Sequence, residues 1–412
     1  MSEQQWKRLE VVKGVEAGRL TVDQAAQILG ISERQLWTVR QRVAEEGAKG
    51  VIHALTGRSP VNRLSEGVRE KIVALRRDKY DGFNDQHFTE KLVGEGIKVS
   101  RPTVRRILRA AGIGAARRRR PPQHRRRRDR KTQAGLMILW DGSHHDWLEG
   151  RGPMLCLMGA IDDATGELLP GAYFVEQECG AGYLKVLLAI CEEKGIPCSA
   201  YMDRHGSLKR NDDHWTLEEE LRGEQDPTQV GRALKELEIE PIYALSPQAK
   251  GRVERMWGTL QDRLCSELRL AGAKTMAQAN AVLGRYRLEH NERFTVEPRD
   301  AQPAWRKVRR SLDLHRICSF RYRAKVLNDN TVRLSNRVID VPPGPNRRSY
   351  ARAPVEICQF LDGSWRVYFK GGLIARAAAS PLEELRPLKR RKRPAATRAF
   401  RRGVQQLASS LP

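Results

Sequence analysis

Three acidic residues are set apart by where they stand in the chain. Asp141 closes the apolar run LMILW inside WDGSHHDW, Asp203 closes a shorter run inside YMDRHG, and Glu254 falls in the amphipathic stretch SPQAKGRVERMWGTLQDRL. Such runs read as two strands and a long helix. Strand ends in a mixed sheet open on one edge, where a packed helix can aim a side chain at both. Carboxylates converging on that edge repel one another unless a cation lies between them. Hard oxygen donors with little else suit Mg2+ or Mn2+, and two such ions about 3.5 to 4 Å apart clamp the attacking and leaving oxygens of an in-line phosphoryl transfer.

Each acid also has a plainer role, Asp141 and Asp203 as strand-closing residues and Glu254 as one solvated helix position. Rivals lie nearby. Asp163 belongs to a turn, Asp146 and Asp162 are placed to support rather than to ligate, and Asp212, Asp213 and Glu218 to Glu220 occupy a polar stretch with no core-facing pattern. His144, His145 and His205 flank the carboxylates without ligand spacing, which suits hydrogen bonding or phosphate contact. Lys250, Arg252 and Arg255 surround Glu254, and at least one is expected to touch phosphate.

Other chemistries lack their residues. Seven cysteines, at 156, 179, 191, 198, 265, 318 and 358, form no C-x-x-C pair and are expected to be reduced, and the nine histidines show no zinc-finger spacing. No G-x4-G-K-[ST] loop offers a nucleotide site. No apolar run approaches the length of a membrane span, and MSEQQWKRLE lacks the order of a secretion signal, so a cytoplasmic, nucleoid-associated protein with no membrane partner is expected.

Positioning the acids requires a sheet. LMILW, MLCLMGAI (154–161) and LLPGAYFVE read as three strands around the turn at Asp163 to Gly166. A helix over 181–194, a strand over 198–202, an acidic stretch over 211–226, a helix near 229–238, a strand over 241–245 and helices over 248–269 and 275–291 follow. That order predicts a mixed sheet flanked by helices. Between 320 and 380, short strands separated by turns such as Asn328 to Asn330 predict a small β-barrel or sandwich.

Charge points to a polyanionic partner. The net charge of +25 is concentrated in 117–131 and 386–402, each +9, and in 1–116, at +7, while 132–385 is neutral. A balanced core flanked by basic segments is the electrostatic footprint of a nucleic-acid binder. Within the first segment, Thr21 with Gln24 and Ser32 with Gln35 are capping boxes around Leu29-Gly30-Ile31, and Leu36, Val39 and Val43 form a buried stripe. This helix-turn-helix pattern leaves Glu33, Arg34, Trp37, Thr38 and Arg40 toward solvent for groove reading. A second pattern follows: Ser65 before Val68, Ile72 and Leu75, a helix near 85–94, then Ser100 before Val104, Ile107, Leu108 and Ala111. Arg101, Thr103, Arg105, Arg106 and Arg109 cover the rest of that last helix.

Four motifs taken together carry a resemblance. W-D-G-S-x-H-x-W (Trp140 to Trp147), I-D-D-A-T-G (Ile161 to Gly166), Y-x-D-R-H (Tyr201 to His205) and S-P-Q-x-K-G-R-V-E-R (Ser246 to Arg255) resemble the catalytic core of integrases and transposases with a ribonuclease-H-like fold. They are most similar to the ISNCY-type transposases of bacterial insertion sequences. The resemblance implies that Asp141, Asp203 and Glu254 are a metal-binding catalytic triad using two Mg2+ or Mn2+ ions. It implies a polynucleotidyl transferase acting on element ends and target DNA as a homo-oligomer. The stretch from Asp203 to Glu254 is longer than in retroviral integrases, with 211–226 as the apparent insertion, and the retroviral N-terminal zinc module has no counterpart.

The expected architecture is multidomain α+β. Helix-turn-helix modules over 1–60 and 61–116 and an arginine-rich linker over 117–134 lead to a ribonuclease-H-like mixed α/β core over 135–300. A basic linker over 301–319, the small β domain over 320–385 and a basic disordered tail over 386–412 follow. A sequence-specific DNA-binding regulator, or a domesticated inactive transposase, is the alternative function.

Overall fold

The computed structural model describes residues 1–53, 56, 63–116, 128–210, 215, 217–244 and 251–385. Lys250, Asp212, Asp213, most of the arginine-rich linker and the basic tail lie outside them, as does the side chain of Glu218. The chain divides into two compact units, residues 1–72 and 73–412.

The first unit holds α1 (Glu3–Glu16), α2 (Val22–Leu29), α3 (Glu33–Glu46) and the start of α4 (Glu66–Asp78). Ser2 with Gln5, Thr21 with Gln24 and Ser32 with Gln35 each satisfy two of the amides that a helix start leaves unpaired. α2 stops at Gly30, which is left-handed at φ 61°. Leu9, Val12, Ala25, Leu36, Val43 and Val51 form its core, and Val39 packs at the edge.

In the second unit, α5 (Asp85–Gly94) and α6 (Arg101–Ala110) follow α4. A five-stranded sheet comes next, made of β1 (Ile138–His145), β2 (Leu155–Asp162), β3 (Tyr173–Val175), β4 (Ser199–Met202) and β5 (Glu240–Tyr243), in the order β3-β2-β1-β4-β5. β1, β2 and β3 pair antiparallel, while β4 and β5 run parallel to β1. Between these strands and after them lie α7 (Gly180–Glu193), α8 (Leu217–Arg222), α9 (Gln229–Glu236), α10 (Gly251–Leu270), α11 (Met276–Phe294) and α12 (Leu314–Ile317).

Both faces of the sheet are covered, which explains why β1 and β2 read as unbroken apolar runs. Ile138, Trp140, Cys156 and Met158 pack under α7 and α9. Leu139, Leu155, Leu157 and Ile161 pack under α10 and α11. Residues 301–319, expected as a linker, run along this core: Arg306 pairs in a bridge with Ile196 and donates to the carbonyls of Pro197, Leu237 and Glu238.

α5 is fastened to α10 and α11 by charge. Glu90 accepts from Arg263 at 2.7 and 3.1 Å and from Arg293 at 2.8 Å, and Glu267 meets His87 at 2.6 Å and Lys91 at 2.7 Å. Burial acts to raise both carboxyls, but these partners outweigh it and hold each below the usual glutamate range.

The C-terminal strands are β6 (Phe320–Lys325), β7 (Thr331–Leu334), β8 (Arg337–Asp340), β9 (Pro354–Gln359), β10 (Trp365–Phe369) and β11 (Gly372–Ala377). They form a four-stranded antiparallel sheet, β11-β10-β9-β6, and a separate β7-β8 hairpin. Val332 and Ile339 of the hairpin share one apolar core with Val355, Ile357, Trp365 and Val367 of the sheet. Among the described residues, no helix is long and apolar enough to cross a membrane.

Candidate functional site

Strand register brings two of the three acids together. Ile138 pairs with Ala200 and Leu139 with Tyr201 across parallel β1 and β4. Asp141 and Asp203 each lie two residues past the last of these pairs, at the same end of the two strands. The Asp203 carboxylate accepts from the His205 amide at 2.9 Å, which fixes the turn out of the strand.

α10 lies along the same face of β1. Trp257 Nε1 donates to Asp141 Oδ2 at 3.0 Å, and Gln261 Nε2 donates to Ser143 Oγ at 3.3 Å. Glu254 is exposed in the first turn of α10, three residues before Trp257 and therefore on the helix face that carries the indole. The indole fits because Gly159, paired with Asp141 across β1 and β2, has no side chain: a Cβ there would lie 3.2 Å from Trp257 Cη2.

A fourth carboxylate, Glu178, stands at this end of the sheet. Its Oε1 accepts from the Tyr183 hydroxyl at 2.5 Å, and His205 Nδ1 and His144 Nε2 approach it at 3.5 and 3.8 Å. Burial above all, then Glu178, Asp141 and Asp203, pushes the Tyr183 phenol well up, so it stays protonated and donates. Burial, followed by Glu178 and Asp141, likewise pushes the Cys156 thiol up to about 12. Nothing in the sequence distinguishes Glu178 from its neighbour Glu176. Only the closure of α7 onto β1 gives it a role.

The rival acids have structural partners. Buried Asp162 accepts from the amides of Gly135, Ala164 and Thr165 and from the Thr165 hydroxyl, closing the turn after β2. Burial still pushes its carboxyl up. Asp163, also buried, accepts from Arg128, Arg252 and the Lys131 amide. Asp146 accepts from the Gly150 amide at 3.1 Å, and buried Glu219 holds Arg210 and the Asp226 amide. Of the basic residues expected around Glu254, Arg252 is engaged by Asp163, Arg255 is exposed, and Lys250 is outside the described residues.

The candidate DNA-reading residues divide similarly. On α3, Arg34 and Thr38 are exposed, and Arg40 is half-buried with its guanidinium 4.6 Å over the ring of Trp37. On α6, Arg101, Arg105 and Arg106 face outward along an open groove, and Thr103 meets the Ser100 hydroxyl at 3.0 Å. Arg109 is drawn back into its own module, donating to Asp85 at 2.6 Å and to the Ile113 carbonyl at 2.9 Å. All seven cysteines are free thiols.

Parts of the chain are similar to known proteins. The family model described as winged helix-turn helix matches residues 8–70, where the described residues are helical apart from turns and caps. "Putative transposase y4bF" of Sinorhizobium fredii is 38% identical over 317 residues, covering 77% of this chain and 65% of the relative. The transposase for insertion sequence IS1202 of Streptococcus pneumoniae is 32% identical over 331 residues, covering 70% of this chain and 68% of the relative. The match therefore spans about two thirds of the relatives' own length. Among solved structures, the catalytic core domain of BIV integrase aligns at 17% identity and a TM-score of 0.27, covering 38% of this chain and 84% of that one. The chain belongs to the family of insertion-sequence transposases.

Proposed function

We propose that this chain is a divalent-metal-dependent DNA strand transferase that binds the ends of an insertion sequence, cleaves there and joins the freed ends to target DNA. The observation that supports the reading is the position of Asp141 and Asp203 two residues past the last pair of parallel β1 and β4, with Trp257 tying the Glu254-bearing helix to Asp141. Three carboxylates at the end of a sheet, with no sulfur among them, fit hard cations, so Asp141, Asp203 and Glu254 are assigned as ligands of two Mg2+ or Mn2+ ions. Bound there, the ions would lower the pKa of an attacking water or hydroxyl and offset the charge that builds on the phosphate.

The protein's own groups set the geometry. Trp257 Nε1 orients the Asp141 carboxylate, the His205 amide orients Asp203, and exposed Arg255 is available to a phosphate oxygen. In cleavage, water adds to phosphorus and the 3′ oxygen leaves as a hydroxyl. In joining, that hydroxyl attacks a target phosphodiester and displaces another 3′ oxygen. One P–O bond forms as one breaks, so no nucleotide cofactor is needed. Arg34, Thr38 and Arg40 on α3, and Arg101, Thr103, Arg105 and Arg106 on α6, are assigned to double-stranded DNA. The protein acts as a homo-oligomer in the cytoplasm.

The test is cleavage and joining of end-containing DNA by the wild-type chain and by Asp141→Ala, Asp203→Ala and Glu254→Ala. Loss of both steps with end binding intact supports the reading. Joining by Glu254→Ala removes Glu254 from the site, and a wild-type chain that binds ends without cutting them favours a DNA-binding regulator.

A further inference from the structure

The face of β1 that looks away from α10 carries a second donor set of different chemistry. Directly opposed residues of an antiparallel pair project to the same face, and here His144 opposes Cys156 and Gly142 opposes Met158. Cys156 and Met158 belong to the core beneath α7, so His144 and Gly142 share that side. Glu178 reaches the same place from the loop before α7. Its Oε2 lies 3.8 Å from His144 Nε2. A Cβ on Gly142 would stand 2.7 Å from that oxygen and 3.1 Å from Cys156 Sγ, so carboxylate and thiol converge on space that only a glycine leaves open.

The donor atoms of His144, Cys156 and Glu178 all lie within 4.8 Å of one another. A tetrahedral ion with bonds of about 2.0 to 2.3 Å holds its donors roughly 3.3 to 3.8 Å apart, so this set closes on an ion with small side-chain shifts. One imidazole, one thiolate and one carboxylate suit a borderline-soft cation. The sulfur excludes preference for Mg2+.

We propose that His144 Nε2, Cys156 Sγ and Glu178 Oε2 bind a divalent cation of the Zn2+ class, separate from the carboxylates on the α10 side. His205 Nδ1, 3.5 Å from Glu178 Oε1, offers a further nitrogen donor beside the set. Binding exchanges the Cys156 thiol proton, released to solvent, for a metal–sulfur bond. The ion would pin the β1–β2 pair to the loop that precedes α7.

Cobalt supplies the test. The full chain, stripped of metal and titrated with Co2+, should develop a near-ultraviolet thiolate-to-cobalt charge-transfer band with the visible bands of tetrahedral cobalt. Stoichiometric Zn2+ should erase them, and excess Mg2+ should not. Cys156→Ser should abolish the charge-transfer band. His144→Ala, at an exposed position that folding does not need, should weaken Zn2+ binding by at least the roughly tenfold that loss of even an outer hydrogen-bond partner produces. Asp141→Asn should keep the bands. Absence of the bands in the wild-type chain, or their persistence in Cys156→Ser or at full affinity in His144→Ala, overturns the site. Their loss in Asp141→Asn, with circular dichroism unchanged, overturns its separation from the α10 side.

Discussion

Side chains leaving β1 toward α10 and toward α7 enter different surroundings. Asp141 and Ser143 meet an indole N–H and an amide offered by α10. Ile138 and Trp140 enter a buried apolar packing in which the Trp140 and Tyr183 rings meet edge-on at 5.1 Å, with Leu184 and Leu187 alongside. Substitution of Asp141 should therefore act on chemistry with little effect on folding, and substitutions among Ile138, Trp140, Leu184 and Leu187 the reverse.

Asp141→Asn sets the outer limit of that contrast. It keeps the acceptor for Trp257 and removes a charge, so cleavage of end DNA should fall by on the order of a thousandfold or more, while stability in urea shifts by less than about 1 kcal/mol. Cleavage at the wild-type rate would place the chemistry elsewhere. Leu187→Ala, fully buried in α7, should lower unfolding free energy by about 2 to 5 kcal/mol, with the turnover of folded molecules unchanged.

His290 of α11 probes the α10 side through pH. Burial first, then the Arg263 charge, lowers its imidazole to about 4. The unfolded chain takes up this proton near pH 6.5 and the folded chain only near 4, so the stabilisation is complete above pH 6.5 and drains away between those values. The loss amounts to about 3 kcal/mol. Urea unfolding across that range should show it, and His290→Phe should flatten the curve; an equally steep curve in the variant would assign the effect to other groups. The smallest effect belongs to Gly159→Ala, whose methyl would crowd Trp257 at 3.2 Å. It should cost about 1 kcal/mol of stability and slow cleavage several-fold by moving the indole off Asp141. An unaltered rate would mean that the Trp257 hydrogen bond does not orient the carboxylate.

Legibility in the sequence followed the range of the interaction. α2 and α3 were readable because their capping boxes lie within four residues of the first helical turn, and the core strands because continuous apolar runs need cover on both faces. α1 carries the same signal in Ser2 and Gln5, but MSEQQWKRLE is mostly polar in composition, since the buried Leu9, Val11 and Val12 come late in the helix. The chain positions of Asp141, Asp203 and Glu254 were visible, whereas the indole that links two of them depends on a glycine in a different strand. Asp163 is legible as a turn residue, yet its burial beneath Arg128 and Arg252 joins segments about ninety residues apart. The expected barrel or sandwich is a four-stranded sheet with a hairpin over one core, because strand spacing predicts how many strands form but not how they pair.

The charged fastening of α5 onto α10 and α11 gives the molecule a built-in ruler. α6 follows α5 by a short turn, and α10 carries Glu254, so DNA gripped by α6 as proposed is held by the same compact unit that holds the proposed metal ligands. The distance from recognised base to severed bond is then measured in protein, along Glu90, Arg263 and the turns of α10 between Arg263 and Glu254. An element end whose bound sequence is moved by half a helical turn of DNA would present the wrong face of its backbone to the carboxylates, however tightly it is held.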